Sequence, residues 1–149
     1  MEADPHALAD SGLRPSLEFA LLADAVQAVE GKLYVLGGGW DTLLVGRFPV
    51  RHHTLAIGLR LRVPWSSESQ SVRFTVGLQD ADGVSLLPND IHHKVDIKPR
   101  ASDSRQDFGV VRSVTFNNLT FKKAGDYSFV ITLDDEVVHR LRFTVKQRP

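Results

Sequence analysis

Apolar residues recur at every second position in four separate stretches after His53, and this period narrows the possible folds more than any other feature of the chain. Leu55, Ile57, Leu59, Leu61 and Val63 alternate with Ala56, Gly58, Arg60 and Arg62. Val72, Phe74, Val76 and Leu78 follow, and the turn Asp80-Ala81-Asp82-Gly83 leads on to Val84 and Leu86. Ile91, Val95 and Ile97 share a face opposite Lys94, Asp96 and Lys98. Tyr127, Phe129, Ile131 and Leu133 run into a turn at Asp134-Asp135-Glu136, from which Leu141, Phe143 and Val145 return with Arg140, Arg142 and Lys146 facing out. Successive strand residues point to opposite faces, so each stretch reads as a half-buried strand of an antiparallel sheet. No long helical period follows residue 31, and short strands separated by turns at this spacing predict an all-β sandwich of about 7–9 strands.

The 149 residues suffice for one domain, expected over 14–149, and should bury about two-thirds of the unfolded chain's surface. Residues 1–13 are rich in Ala, Asp, Pro and Gly without a period and read as a flexible tail. Residues 17–30 are ambiguous. Ser16 followed by LEFALLADAVQAVE and Gly31 fits a capped helix by local propensity. The same residues fit a strand with Leu17, Phe19 and Leu21 on one face, a turn at Val29-Glu30-Gly31-Lys32 and a return through KLYVLGG.

Near the C-terminus, Leu119 precedes Gly125, Tyr127 and Phe129 in the arrangement of an immunoglobulin corner, with Phe129 where an antibody domain carries a cysteine. Tyr127 can bury its ring while its hydroxyl bonds a backbone group, and Phe129 can fill the space between sheets. The sandwich is therefore expected to be immunoglobulin-like. The alternative is a plain turn at Gly125-Asp126 followed by a strand, which leaves the last two strands in place.

The stretches FALLADAVQAVEGKLYVLGGGWDTL, Phe48-Pro49, LQDADG and AGDYSFVITLDDEVVHRLRFTV resemble an uncharacterised family of small bacterial, chiefly actinobacterial, β-sandwich proteins. The resemblance implies that LEFALLADAVQ and KLYVLGG pair as a β-hairpin, against local propensity, and three glycines before Trp40 suit a kink closing a sandwich. It brings no catalytic residue and no activity with it.

Functional chemistry is narrowed mainly by what is missing. The absence of cysteine removes disulfide scaffolds, thiolate metal sites and cysteine nucleophiles. Gly37-Gly38-Gly39 lacks the context of a phosphate loop, and the serines of WSSESQS and ASDS lie in no nucleophile elbow. DADG at 80–83 lacks the further ligands of a calcium loop and reads as a turn, while Asp41, Asp103, Asp107, Asp134 and Asp135 could bind a cation only by converging in space. His52-His53 and His92-His93 would each point one ring to either face of a strand, so a metal would need one ring from each pair. His93 and His139 fall in line with apolar neighbours and are expected to pack.

Eighteen basic and eighteen acidic residues give a net charge of zero, so no global field draws the chain to nucleic acid or an anionic membrane. Locally, Arg47, Arg51, Arg60 and Arg62 with His52 and His53 occupy a stretch without acids, while Glu2, Asp4, Asp10, Glu18, Asp24 and Glu30 cluster in the first thirty residues. This reads either as a basic sheet face for an acidic partner, even another copy, or as a solvated face with neighbouring acids. Trp40 is expected as a core or corner anchor. Trp65, in a polar loop, is either a contact residue or a cap on the sandwich end.

The reading is a non-enzymatic protein-interaction or assembly module with an unidentified protein partner or itself as partner. Arg60, Arg62 and Trp65 form its possible surface, and Gly125, Tyr127 and Phe129 its structural corner. It is expected to use no cofactor, no metal and no catalytic residue, and to bind neither nucleic acid nor membrane. The N-terminus has no basic and apolar signal regions, so the expected location is cytoplasmic. The alternatives are a sandwich that grips a sugar, metal or small molecule and, further off, an enzyme with a dispersed site.

Overall fold

The computed structural model describes residues 14–99 and 105–149, and the expected tail at 1–13 lies outside them. Nine strands form an all-β sandwich: β1 (Ser16–Val29), β2 (Lys32–Gly38), β3 (Thr42–Val45), β4 (Val50–Val63), β5 (Gln70–Asp80), β6 (Ile91–Ile97), β7 (Phe108–Phe121), β8 (Gly125–Leu133) and β9 (Glu136–Gln147). One sheet has the order β2-β1-β4-β7 and the other β3-β9-β8-β5-β6. All neighbours pair antiparallel except β3 with β9, which run parallel.

The alternation fixes the core. Leu55, Ile57, Leu59, Leu61 and Val63 of β4 face Val72, Phe74, Val76 and Leu78 of β5 and Phe129 and Ile131 of β8 across the sandwich, all buried. Phe143 sits among aromatics, stacked on Phe129 at 5.5 Å and Tyr127 at 5.8 Å and meeting Phe121 and Trp40 edge-on at 6.0 Å. Trp40 thus anchors the crossing from the first sheet to the second. The Tyr127 hydroxyl donates to the Lys123 carbonyl at 2.6 Å, fixing the corner before β8.

Residues 17–30 form a strand rather than a helix. Glu30 and Gly31 both have positive φ, 50° and 75°, the twist of a two-residue hairpin loop, so β2 folds back on β1 with Val29 opposite Lys32. β1 changes partner at Ala23, which pairs with Ala56 of β4 on one side and Gly38 of β2 on the other. Beyond that point the hairpin leaves the plane of its sheet and lies over the outer face of β4. Ala23, Val26 and Ala56 make a second small core with Leu21 and Leu33. Small residues on the outer face of β4 permit this: a Cβ at Gly58 would stand 3.1 Å from Val26 Cγ1 and 3.4 Å from Leu33 Cδ1.

Two local expectations change. After the turn at 80–83 the chain returns through a Gln79–Ser85 bridge and bonds from Asp80 N to Val84 O and Leu86 N to Leu78 O without forming a strand, and Val84 stays exposed. Pro88 ends further pairing there, and β6 takes the place beside β5. His139, expected to pack, is exposed. The β9 register slips around Val138, and β3 covers β9 only from Thr144 onward, so the first half of β9 has no neighbour on that side.

Filling Gly58 should lift the hairpin from β4. Gly58→Val is expected to cost about 1–3 kcal/mol in urea unfolding, against a near-neutral exposed control such as Thr115→Val. Burial, reinforced by the charge of Asp80, holds the Tyr127 phenol above its ordinary value of 10.0. A raised value in the fold favours the neutral form, so its stabilisation is complete below about pH 10 and is lost as pH climbs through the folded value. Tyr127→Phe should therefore be less stable by about 1 kcal/mol at neutral pH, where it lacks the corner bond. That deficit should shrink above about pH 10, because only the wild type must keep a buried phenol neutral. Urea midpoints across this range check it.

Candidate functional site

The basic residues of β4 do not form one free patch. Arg60 makes an ion pair with Glu18 of β1, and its guanidinium lies where a side chain at position 109 would stand, so Gly109 of β7 makes room for it. Arg62 Nε donates to Asp107 Oδ2 at 3.2 Å. Arg51 and Arg62 sit at opposite ends of a fourteen-residue strand, about 35 Å apart at ~3.3 Å per residue. Such exposed pairs are worth at most about 1 kcal/mol each, but they neutralise the stripe locally. Trp65 is half-buried at the end of the sandwich, with the Arg105 guanidinium 5.0 Å from its ring centroid and Gln70 Nε2 donating to Pro64 O beside it.

The histidine pairs belong to different sheets, His52-His53 on β4 and His92-His93 on β6. The His93 ring stacks on Phe74 at 4.8 Å, and His92 faces solvent. Among the described residues no three His, Asp or Glu side chains stand where they could share a metal ion. The acids considered together in the sequence are dispersed. Asp107 holds Arg62, Asp134 Oδ1 accepts from Arg73 N at 3.0 Å, Asp135 faces the Arg73 guanidinium at 3.9 Å, and Asp41 Oδ1 accepts from Thr42 Oγ1. Asp103 lies outside the described residues. Asp80 Oδ1 accepts from the backbone of Asp82 and Val84, the bonding of a self-capped turn.

Among the described residues the surface carries open grooves, two of which lie beside elements already described. One of about 500 Å3 runs beside Asp41, Asp126, Arg142 and Thr144, with Thr144 Oγ1 donating to Asp126 Oδ1 at 2.7 Å. The other, of about 440 Å3, lies between the hairpin loop at Glu30-Gly31 and Gly109, Val111 and Arg112 of β7.

What sequence reasoning passed over is the hairpin's own surface. Tyr34 is 57% exposed and Leu36 72%, with Val29 and Val35 also exposed beside them. The available signal was the run LYVL in KLYVLGG, which does not alternate. A strand that is apolar on both faces has one face to spare once the other lies on β4. β2 is also an edge strand, paired with β1 alone. The other edges carry interruptions or charge: Arg112, Asn117 and a left-handed Asn118 (φ 57°) on β7, His92, Lys94 and Asp96 on β6, and only four residues in β3.

Among the described residues no helix is long and apolar enough to cross a membrane. No curated protein matches the chain. Two structures of β-glucosidase from Kluyveromyces marxianus, one Se-Met labelled and one in complex with glucose, align at 16% and 18% identity with TM-scores of 0.46 and 0.42. Each alignment covers 76% of this chain, which spans only 15% and 14% of the glucosidase chains. The N-terminal domain of PorA aligns over 87% of this chain and 98% of its own at 10% identity, with a TM-score of 0.25. At such scores these likenesses carry nothing about activity. The family match is of another order, because it runs over residues 18–146 and takes in every strand from the hairpin to β9: the chain belongs to a family of unknown function, DUF6941.

Proposed function

We propose that the chain is a non-enzymatic protein-interaction module of the cytoplasm, built on an immunoglobulin-like sandwich and docking through the β1–β2 hairpin. The corner bond from Tyr127 to Lys123 and the parallel addition of β3 to β9 support the immunoglobulin-like reading. The observation that carries the docking role is the exposure of Tyr34 and Leu36 next to an unpaired strand edge. An exposed apolar strand offers hydrogen bonds for affinity and alternate side chains for specificity, which is how strand-addition modules bind. Arg60 and Arg62 are spent on Glu18 and Asp107, so they are assigned to holding β1 and the β7 approach rather than to a partner.

Affinity capture from a lysate of the source organism, read by mass spectrometry, tests this. The wild type should retain a specific protein, or further copies of itself. Tyr34→Lys combined with Leu36→Lys should lose it, and Arg60→Glu combined with Arg62→Glu should keep it if the variant remains folded by circular dichroism. Retention by the folded hairpin variant, or no captured protein with the wild type, overturns the reading.

A further inference from the structure

We infer that the occupant of the β2 edge is a second copy of this chain, joined strand to strand about a two-fold axis through Val35. This rests on the interaction-module reading and names its partner. The loop Glu30-Gly31 closes on the pair Val29–Lys32, and in a two-residue hairpin that pair exchanges both of its backbone hydrogen bonds. Bonded pairs recur at every second position, so Gln27–Tyr34 and Ala25–Leu36 are bonded likewise. The N–H and C=O of Leu33 and Val35 therefore point away from β1, toward the open edge.

A residue on the axis of an antiparallel two-fold pair meets itself. With Val35 there, its N–H and C=O bond to Val35 of the second copy. Tyr34 then stands opposite Leu36 of the second copy, twice, so the two most exposed apolar side chains of β2 cover one another. Moving the axis to Tyr34 would set Leu36 against Lys32 instead. The product is one continuous eight-stranded sheet, closed by its own symmetry and without an exposed β2 edge.

Sedimentation equilibrium on the full chain across the micromolar to submillimolar range tests the proposal. The wild type should be a monomer–dimer system. Leu36→Lys, which strikes both symmetric pairs, should weaken dimerisation by about tenfold or more, while Asn117→Lys on the β7 edge leaves it unchanged. The chain has no cysteine, so Val35→Cys introduces a unique thiol that should oxidise to a disulfide-linked dimer, its Cα atoms ~5.5 Å apart and within bridging range, while Asn117→Cys should not. Circular dichroism confirms that each variant is folded. A strictly monomeric wild type, or a dimer indifferent to Leu36→Lys, overturns the proposal. If the monomer still captures another protein through Tyr34 and Leu36, the module reading stands without it. If the hairpin captures nothing and does not self-associate, both fall.

Discussion

Phe143 holds the two sheets together. Its ring touches Phe129 and Tyr127 from the neighbouring strand, Phe121 from the opposite sheet and Trp40 from the crossing between sheets. Rings at these offsets are favourable beyond the area they bury, and they tie four separated parts of the chain to one point without a disulfide. The corner bond of Tyr127 fixes the entry to β8, and the register of β8 on β5 and β9 then places Phe129 and Ile131 over the β4 residues. Loss of that cluster would free Trp40 and with it the path from the hairpin into the second sheet.

The hairpin is a different kind of structure, supported from one side only. Its inward residues, Val26 and Leu33, rest on Ala56 and Gly58, and the close fit depends on β4 presenting almost no side chain there. Val111 of β7, outward beside Arg60, is buried as well. The cost of adding this layer is that, among the described residues, Tyr34 and Leu36 are left exposed. The first half of β9 also shows Val137 and Val138, but a register slip and the flanking Glu136, His139 and Arg140 break its regularity. β2 carries a left-handed residue at Gly37 (φ 59°), but its apolar stretch from Leu33 to Leu36 has no charge or register slip, which suits it to another strand.

Elsewhere several polar groups are engaged locally. Asp80 caps its own turn, Asp134 accepts from a backbone N–H, and Glu18 and Asp107 each meet an arginine. Among the described residues no three His, Asp or Glu side chains could share a metal ion. The proposed function rests instead on shape and strand edges.

Side-chain direction was legible from residue order because it follows from covalent geometry: a strand turns each successive Cβ to the other face, so Leu55 to Val63, Val72 to Leu78 and Tyr127 to Leu133 declared their sheets and their buried faces. Turn chemistry at Asp134-Asp135 was legible for the same local reason. What residue order left open was whatever depends on a distant neighbour. Residues 17–30 have good helix propensity, and pairing with β4 and β2 overrides it. Whether Arg60 and Arg62 face a partner or neighbouring acids stayed open until folding set Glu18 and Asp107 beside them, and His139 looked packed until β3 proved too short to cover it. The bend at Ala23 and the uncovered row on β2 were decided only in three dimensions, because which strand lies on which face is a property of contacts between segments far apart in the chain, and a local pattern carries no record of them.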